Sequence, residues 1–473
     1  MVAALRIRHG RSVAGWLAAG LTTCSILHSR RRSDSSGHVA AGYGDKPNNV
    51  DQGLNSDAVS RTCRSRLEAI RATTSDDLLL RRLVALNSIL ARYPLASHEV
   101  YHQGGVDVLL EIRDRRSDAS DEISSWARQA CGLLGHAEPI SGHGLRVLSL
   151  DGGGVRGVIS IFVLERLLEL SGNRPLGELF DVVAGTSIGT LISALMLFGK
   201  KEPGPMAPRF LNLFNSVVRL PLQGSVANLV KYRSKFGNEM VKLLGSHFQD
   251  RTLASTARDP GTPKVIFTAS LLGSGRAAHP APFLFRNYRP SPGSNVSRYA
   301  GGCNYSLTDA CAASAAAPGY FPGINLNGLP LKDGGLLGNN PLSIALHESR
   351  LLWGPDTPIQ CIVSLGTGLV PLPRPDTEEE FSGSGFVSLD TMSPVGVVDV
   401  VQNVINSACN NQLMEHLMED FLVKEPYYRF NPVLPYDYPP FADDIEEILK
   451  LGENFVQENE PRLREVAQRL EVQ

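Results

Sequence analysis

A chain of 473 residues can hold two or three domains, each with a full core. Its formal net charge of −2 makes no electrostatic case for nucleic-acid binding, where a basic stripe is expected. The cysteines (Cys24, Cys63, Cys131, Cys303, Cys311, Cys361 and Cys409) are scattered and include no C-x-x-C pair. This argues against a disulfide framework or a structural zinc site, and for a reducing compartment.

Residues 1–33 carry no acid, while Arg6, Arg8, Arg11, Arg30, Arg31 and Arg32 supply positive charge. Such a start resembles a mitochondrial transit peptide; Val13 to Leu27 reads alternatively as a signal-peptide core or a membrane anchor. No other stretch has the length and apolarity of a span, so the body of the protein is expected to meet membranes only peripherally. Residues 34–58, rich in Gly, Ser, Asn and Asp, read as a disordered linker. Residues 59–140 read as a helical domain. Ser75 can cap a helix with Leu79, Leu80, Leu83, Leu86 and Leu90 at helical spacing, stopped by Pro94. Further helices are predicted over Val106–Ile112 and Ile123–Leu134. The stretch HQGGVDVLLEI between helices resembles an armadillo-type repeat, and a single copy must pack on a neighbouring domain to bury its faces.

From Leu145 the pattern becomes α/β, with strands predicted at Leu145–Leu150, Phe180–Ala184, Val265–Leu271, Phe283–Asn287 and Cys361–Leu365. Helices are predicted at Val158–Leu170 and Ser187–Phe198. From Pro394, Val397, Val401, Val404, Ile405 and Ala408 recur at helical spacing, so residues 371–473 read as helical cover over a sheet domain of residues 145–370.

Three segments carry chemistry. In RVLSLDGGGVRG a strand runs into glycines and then a helix, and Gly152, Gly154 and Gly157 fit G-x-G-x-x-G. That pattern alone is a weak sign of a dinucleotide site, and its ribose-binding acid at a following strand end is missing, since Glu165 and Glu169 fall on the helix. Consecutive glycines can equally offer backbone N–H groups to an oxyanion. In FDVVAGTSIGTLISALML a strand turns sharply at Gly185-Thr186-Ser187-Ile188-Gly189 into an apolar helix, which is the G-x-S-x-G nucleophile elbow. In LKDGGLLGNNPLSIA, Asp333 sits at a predicted strand end before Gly334 and Gly335. Alone, Asp-Gly-Gly is more often a turn.

DGGGVRG, GTSIG and DGG, in this order, resemble the signatures of the patatin-like phospholipase family, over roughly Leu145 to Gly368. ASAAAPGYFPG, PFLFRNY and VSLGTG are similar to other blocks of that family, and the helical segment and YYRFNP look most like its calcium-independent gamma type. The resemblance implies a three-layer α/β sheet domain and a serine acyl-ester hydrolase acting on phospholipid at a membrane surface. It implies Ser187 as nucleophile and Asp333 as proton acceptor in a dyad, with Gly152, Gly153 and Gly154, near Arg156, as the oxyanion site and no cofactor or metal. The competing readings are a Ser–Asp–His hydrolase using His347 or His416, a nucleotide-binding protein using the first glycine loop, and a helical scaffold without catalysis.

Overall fold

The computed structural model describes residues 56–116, 121–200, 204–218, 226–273, 279–292, 297–318, 320–369, 411–434 and 446–471. The basic N-terminal stretch, the linker up to residue 55 and the helix predicted from Pro394 lie outside these residues.

Five helices come first: α1 (Ser56–Arg71), α2 (Asp76–Arg92), α3 (Pro94–His102), α4 (Gly105–Asp114) and α5 (Glu122–Leu133). The apolar period of α2 works as the sequence implies, burying Leu79, Leu83, Leu86 and Leu90 while Leu80 is only partly covered. Ser75 stands at the N-cap but its hydroxyl makes no capping bond; Asp76 and Asp77 in the first turn complement the helix dipole instead. Pro94 does more than stop α2, because it opens α3 in the first turn, where its missing N–H is harmless. At α5 the Asp121 carboxylate accepts the Ser124 N–H at 2.9 Å. Ala254 and Cys303 of the following domain join the core of these helices. Arg258 lies 3.3 Å from the Trp126 ring centroid, and Arg128 Nε donates to the Arg258 carbonyl at 3.0 Å.

The α/β part opens with β1 (Leu145–Leu150), α6 (Val158–Leu170), the one-turn α7 (Leu176–Leu179), β2 (Val182–Thr186) and α8 (Ile188–Phe198). There follow α9 (Met206–Val218), α10 (Val226–Phe248), the short α11 (Leu253–Thr256), β3 (Lys264–Leu271), β4 (Ala281–Arg286), β5 (Ala300–Gly302) and α12 (Leu307–Ser314). Then come β6 (Ile324–Leu326), β7 (Leu329–Asp333), α13 (Leu342–Trp353), β8 (Ile359–Leu365), α14 (Gln412–Phe421), β9 (Tyr427–Phe430), α15 (Glu446–Glu458) and α16 (Glu460–Arg469). The main strand order is β5-β4-β3-β2-β1-β8-β9, with β7 pairing β3 and β6 pairing β7. β3, β2, β1, β8 and β9 run parallel, while β4 and β7 are antiparallel to β3.

Both faces of the central sheet are covered, which is why its strands read as apolar runs without polar alternation. Leu148, Leu150, Val183, Val265, Phe267 and Val363 join the core with α6, α8, α12, α15 and α16. Their neighbours Val147, Val182, Ala184, Ile266 and Ile362 form the core with α13. The result is the expected three-layer arrangement. Two expectations change. The four short strands β5, β6, β7 and β9 add to those predicted, although Asp333 had already been placed at a strand end. Residues beyond 370 also supply more than helical cover, because β9 extends the sheet along β8, with Val363 opposite Tyr428.

On the α13 side a buried ion pair ties helix to sheet. Arg286 reaches both Glu348 oxygens, at 2.8 and 2.9 Å, and Ser297 and Tyr288 also donate to that carboxylate. Removing the acid leaves a guanidinium in the core, so Glu348→Ala is expected to cost about 3–5 kcal/mol in urea denaturation. The apolar pair Arg286→Met/Glu348→Leu should recover most of that loss.

Candidate active site

At the end of β2 the chain reverses into α8 through Ser187, which adopts φ 53 and ψ −118. A serine rarely holds this conformation, and such strain persists only where the surrounding structure enforces it. A Cβ on Gly185 would lie 2.7 Å from the Gly189 carbonyl carbon, and one on Gly189 would lie 2.3 Å from the Leu150 oxygen. Gly185 thus lets the first turn of α8 fold back onto the end of β2, and Gly189 lets the elbow close onto β1. The Ser187 N–H donates to Ser314 Oγ at 2.9 Å, and Ser314 Oγ also shares a hydrogen bond with Thr190 Oγ1 at 2.8 Å.

The Ser187 hydroxyl donates to Asp333 Oδ2 at 2.6 Å, across 146 residues of sequence. Strand pairing makes this meeting possible: Thr186 pairs Thr268 on β3, and Asp333 pairs the next residue, Ala269. The other carboxylate oxygen accepts the Gly335 N–H at 2.7 Å. Gly334 is needed for close approach, since a Cβ there would sit 2.4 Å from Thr268 Oγ1. Asp333 is 5% exposed. Burial pushes its carboxyl up to about 6, against the pull of the Ser187 and Gly335 hydrogen bonds and of nearby Lys332.

The glycine loop lies against the elbow. A Cβ on Gly152 would come 2.0 Å from Asn339 Oδ1 and 3.2 Å from Ser187 Cβ. Gly153 and Gly154 have φ of 152 and 60, which glycine alone adopts freely. The Gly152 N–H donates to the Asn339 carbonyl at 3.1 Å. Gly152 is thereby removed from the oxyanion donors expected from the sequence. Its carbonyl is clamped by Asn339 Nδ2 at 2.9 Å and Thr367 Oγ1 at 2.7 Å. The Gly153 and Gly154 N–H groups have no acceptor among the described residues. Arg156 is buried, and its Nε donates to the Gly153 carbonyl at 3.4 Å, so it braces the loop. Gly157 serves packing, since a Cβ there would stand 2.8 Å from Ile188 Cγ1.

The other predicted candidates stay apart from this cluster. His347 on α13 meets Tyr299 edge-on at 5.4 Å, and burial lowers its tendency to protonate. His416 on α14 is exposed. Neither is a hydrogen-bond partner of Asp333. Glu165 accepts the Met206 N–H and Glu169 pairs with Arg166, so neither waits at a strand end for a ribose. Among the described residues no group of His, Cys, Asp and Glu is placed to hold a metal ion. Sequence reasoning assigned no role to Ser314, Asn339 or Thr367. They lie in or beside the blocks ASAAAPGYFPG, LLGNNP and SLGTG, whose polar residues were the available signal.

A profile of patatin-like phospholipases matches residues 148–346, the stretch containing the glycine loop, the elbow and Asp333. The chain is 31% identical over 414 residues to mouse calcium-independent phospholipase A2-gamma, covering 87% of this chain and 50% of that protein. The human protein of the same name is 30% identical over the same shares. The chain belongs to the patatin-like phospholipase family. It spans about half the length of these gamma-type relatives. Phospholipase A I of Arabidopsis thaliana is 27% identical over 74% of this chain and 30% of its own length.

In this patatin-like protein the raised Asp333 carboxyl has a thermodynamic consequence. Between the ordinary carboxyl value of 3.8 and about 6 the folded chain holds a proton that the unfolded chain releases, so stability falls as pH rises through that window. Asp333→Asn removes the buried charge and keeps the shape. It is expected to raise stability at pH 7–8 by on the order of 1–3 kcal/mol. Thermal melts from pH 4 to 8 should show the gain vanishing at the acid end.

Proposed function

We propose that this protein hydrolyses fatty-acyl esters of glycerophospholipids without calcium, through a Ser187–Asp333 dyad and an acyl-serine intermediate. One observation carries the reading: the Ser187 hydroxyl donates directly to the buried Asp333 carboxylate at 2.6 Å, with no imidazole between them. Both Asp333 oxygens are engaged, by Ser187 and by Gly335, which supports a dyad over a triad.

A carboxylate is a weak base for a hydroxyl, so the proton must move as the nucleophile attacks. Burial helps, because a carboxyl near 6 is a better base than an exposed aspartate and remains ionised at neutral pH. As Ser187 Oγ bonds to the ester carbonyl carbon, its proton passes to Asp333 and negative charge gathers on the carbonyl oxygen. The Gly153 and Gly154 N–H groups are the donors that would receive that charge, each worth about 3–4 kcal/mol in the transition state. The tetrahedral adduct then collapses, the leaving alcohol takes the Asp333 proton, and the acyl group stays on Ser187. Water, deprotonated by Asp333, releases the fatty acid and restores the serine. The φ of 53 at Ser187 presents the hydroxyl at the head of α8, where the helix dipole favours negative charge.

The preference for phospholipid rests on the likeness to proteins named calcium-independent phospholipase A2-gamma. Contact with the lipid surface is peripheral in this reading; no described helix is long and apolar enough to cross a membrane. The Arg-rich, acid-free residues 1–33 support delivery to a mitochondrial or other organelle membrane.

The test is a phospholipid hydrolysis assay with EDTA present. Ser187→Ala and Asp333→Ala are each expected to lose on the order of 10³-fold or more in turnover. Wild-type turnover should fall with one ionisation as pH drops through about 6, because Asp333 must be unprotonated to accept the serine proton. Full activity in Ser187→Ala overturns the mechanism, whereas abolition by EDTA overturns only its metal independence.

A further inference from the structure

Beneath the glycine loop lies a second polar cluster that the dyad does not use. Asp151, the residue before Gly152, is 1% exposed. Its Oδ2 accepts Arg429 Nη2 at 2.7 Å and Asn411 Nδ2 at 2.8 Å, while Oδ1 is buried and has no partner among the described residues. Arg429 comes from β9, the edge strand beyond β8, and is itself 7% exposed. It also donates to Ser364 Oγ at 2.9 Å and to Glu415 Oε2 at 3.2 Å. Glu415 Oε2 accepts Asn431 Nδ2 at 2.8 Å, and Asn431 Oδ1 accepts the Gly368 N–H at 2.8 Å.

The cluster grips the loop at two points. One is Asp151, joined to Gly152 by a single peptide bond. The other is the turn after β8, where Gly368 is held by Asn431 and Thr367 Oγ1 donates to the Gly152 carbonyl at 2.7 Å. Asn411, Glu415, Arg429 and Asn431 therefore act on both flanks of Gly152, and Gly153 and Gly154 follow directly. No rotamer is left free at Arg429, because each guanidinium nitrogen has its own acceptor. An oxyanion donor is effective only when its position is fixed before charge develops.

We infer that Arg429, with Asn411, Glu415 and Asn431, is a positioning device for the oxyanion loop, acting through Asp151. These four residues thus support the oxyanion loop from below as positioning residues. The inference rests on the Ser187–Asp333 reading and adds to it where the loop's rigidity comes from.

The test compares turnover per competent serine in full-length Arg429→Gln, Arg429→Lys and Asn411→Ala. A fluorophosphonate label counts the reactive serines, and phospholipid turnover is divided by that count. Arg429→Gln leaves Asp151 without a counter-charge, and Asn411→Ala is the milder change that removes one hydrogen bond from a partly exposed residue. The expected result is a tenfold or larger fall in kcat per labelled serine for Arg429→Gln and a threefold or larger fall for Asn411→Ala. KM should stay within twofold, and Arg429→Lys should regain part of the rate. A purely structural role would lower the melting temperature and the labelled fraction while leaving kcat per labelled serine unchanged. That outcome in Asn411→Ala, or in a folded Arg429→Gln, overturns the inference. Labelling of wild type but not of Ser187→Ala, with turnover lost in Asp333→Ala, upholds the Ser187–Asp333 reading whatever Arg429 does. Absence of labelling in wild type removes both.

Discussion

The register of three strands decides where chemistry can happen in this molecule. β2 runs along β3 as far as Thr186, opposite Thr268, and then leaves the sheet through Ser187. β7 arrives from the opposite direction with Asp333 opposite Ala269, the next residue of β3. A shift of one residue in either pairing would move Asp333 or the elbow to the other face of the sheet. The shared hydroxyl of Thr268, bonded to Thr186 at 2.7 Å and crowding Gly334, fixes both strands to the same rung.

That geometry is held against two local costs. Ser187 occupies a backbone conformation that its side chain disfavours, and Asp333 carries a charge into a site where burial opposes it. Small residues make both tolerable by letting backbone reach backbone. Gly189 meets β1, Gly334 meets β3, and the Gly335 N–H compensates part of the lost hydration of Asp333. The stability spent here is recovered in the surrounding apolar layers, where β1 and β8 are buried almost end to end.

Much of the site was legible because glycine requirements are written locally. Gly152, Gly153, Gly185, Gly189 and Gly334 each mark a place where a side chain cannot fit, and such marks survive in a single sequence. The helical period of α2 and the apolar runs of β1, β3 and β8 are legible because they too are local patterns. What could not be read depends on partners distant in sequence. Nothing local says that the Gly152 N–H is consumed by Asn339, or that Thr367 holds the Gly152 carbonyl. β9 has only four residues, and its place beside β8 is fixed by the buried charge of Arg429 more than by any period of its own. Nothing within YYRFNP gives Arg429 a role, because its partner Asp151 lies 278 positions away.

β9 also sets an order of events in time. The ribosome releases β1, the glycine loop, the elbow and β7 long before Arg429 emerges. Until then Asp151 sits at the end of β1 with no cation to face. A nascent chain at that stage can form its parallel strands and its elbow, yet its loop lacks the strut beneath it. Domains fold as units during synthesis, and the β8–β9 pairing of this one can form only after residue 430 has been made. Every nascent chain that ends between Asp333 and Arg429 therefore carries the elbow and Asp333 without the guanidinium that faces Asp151 in the folded protein.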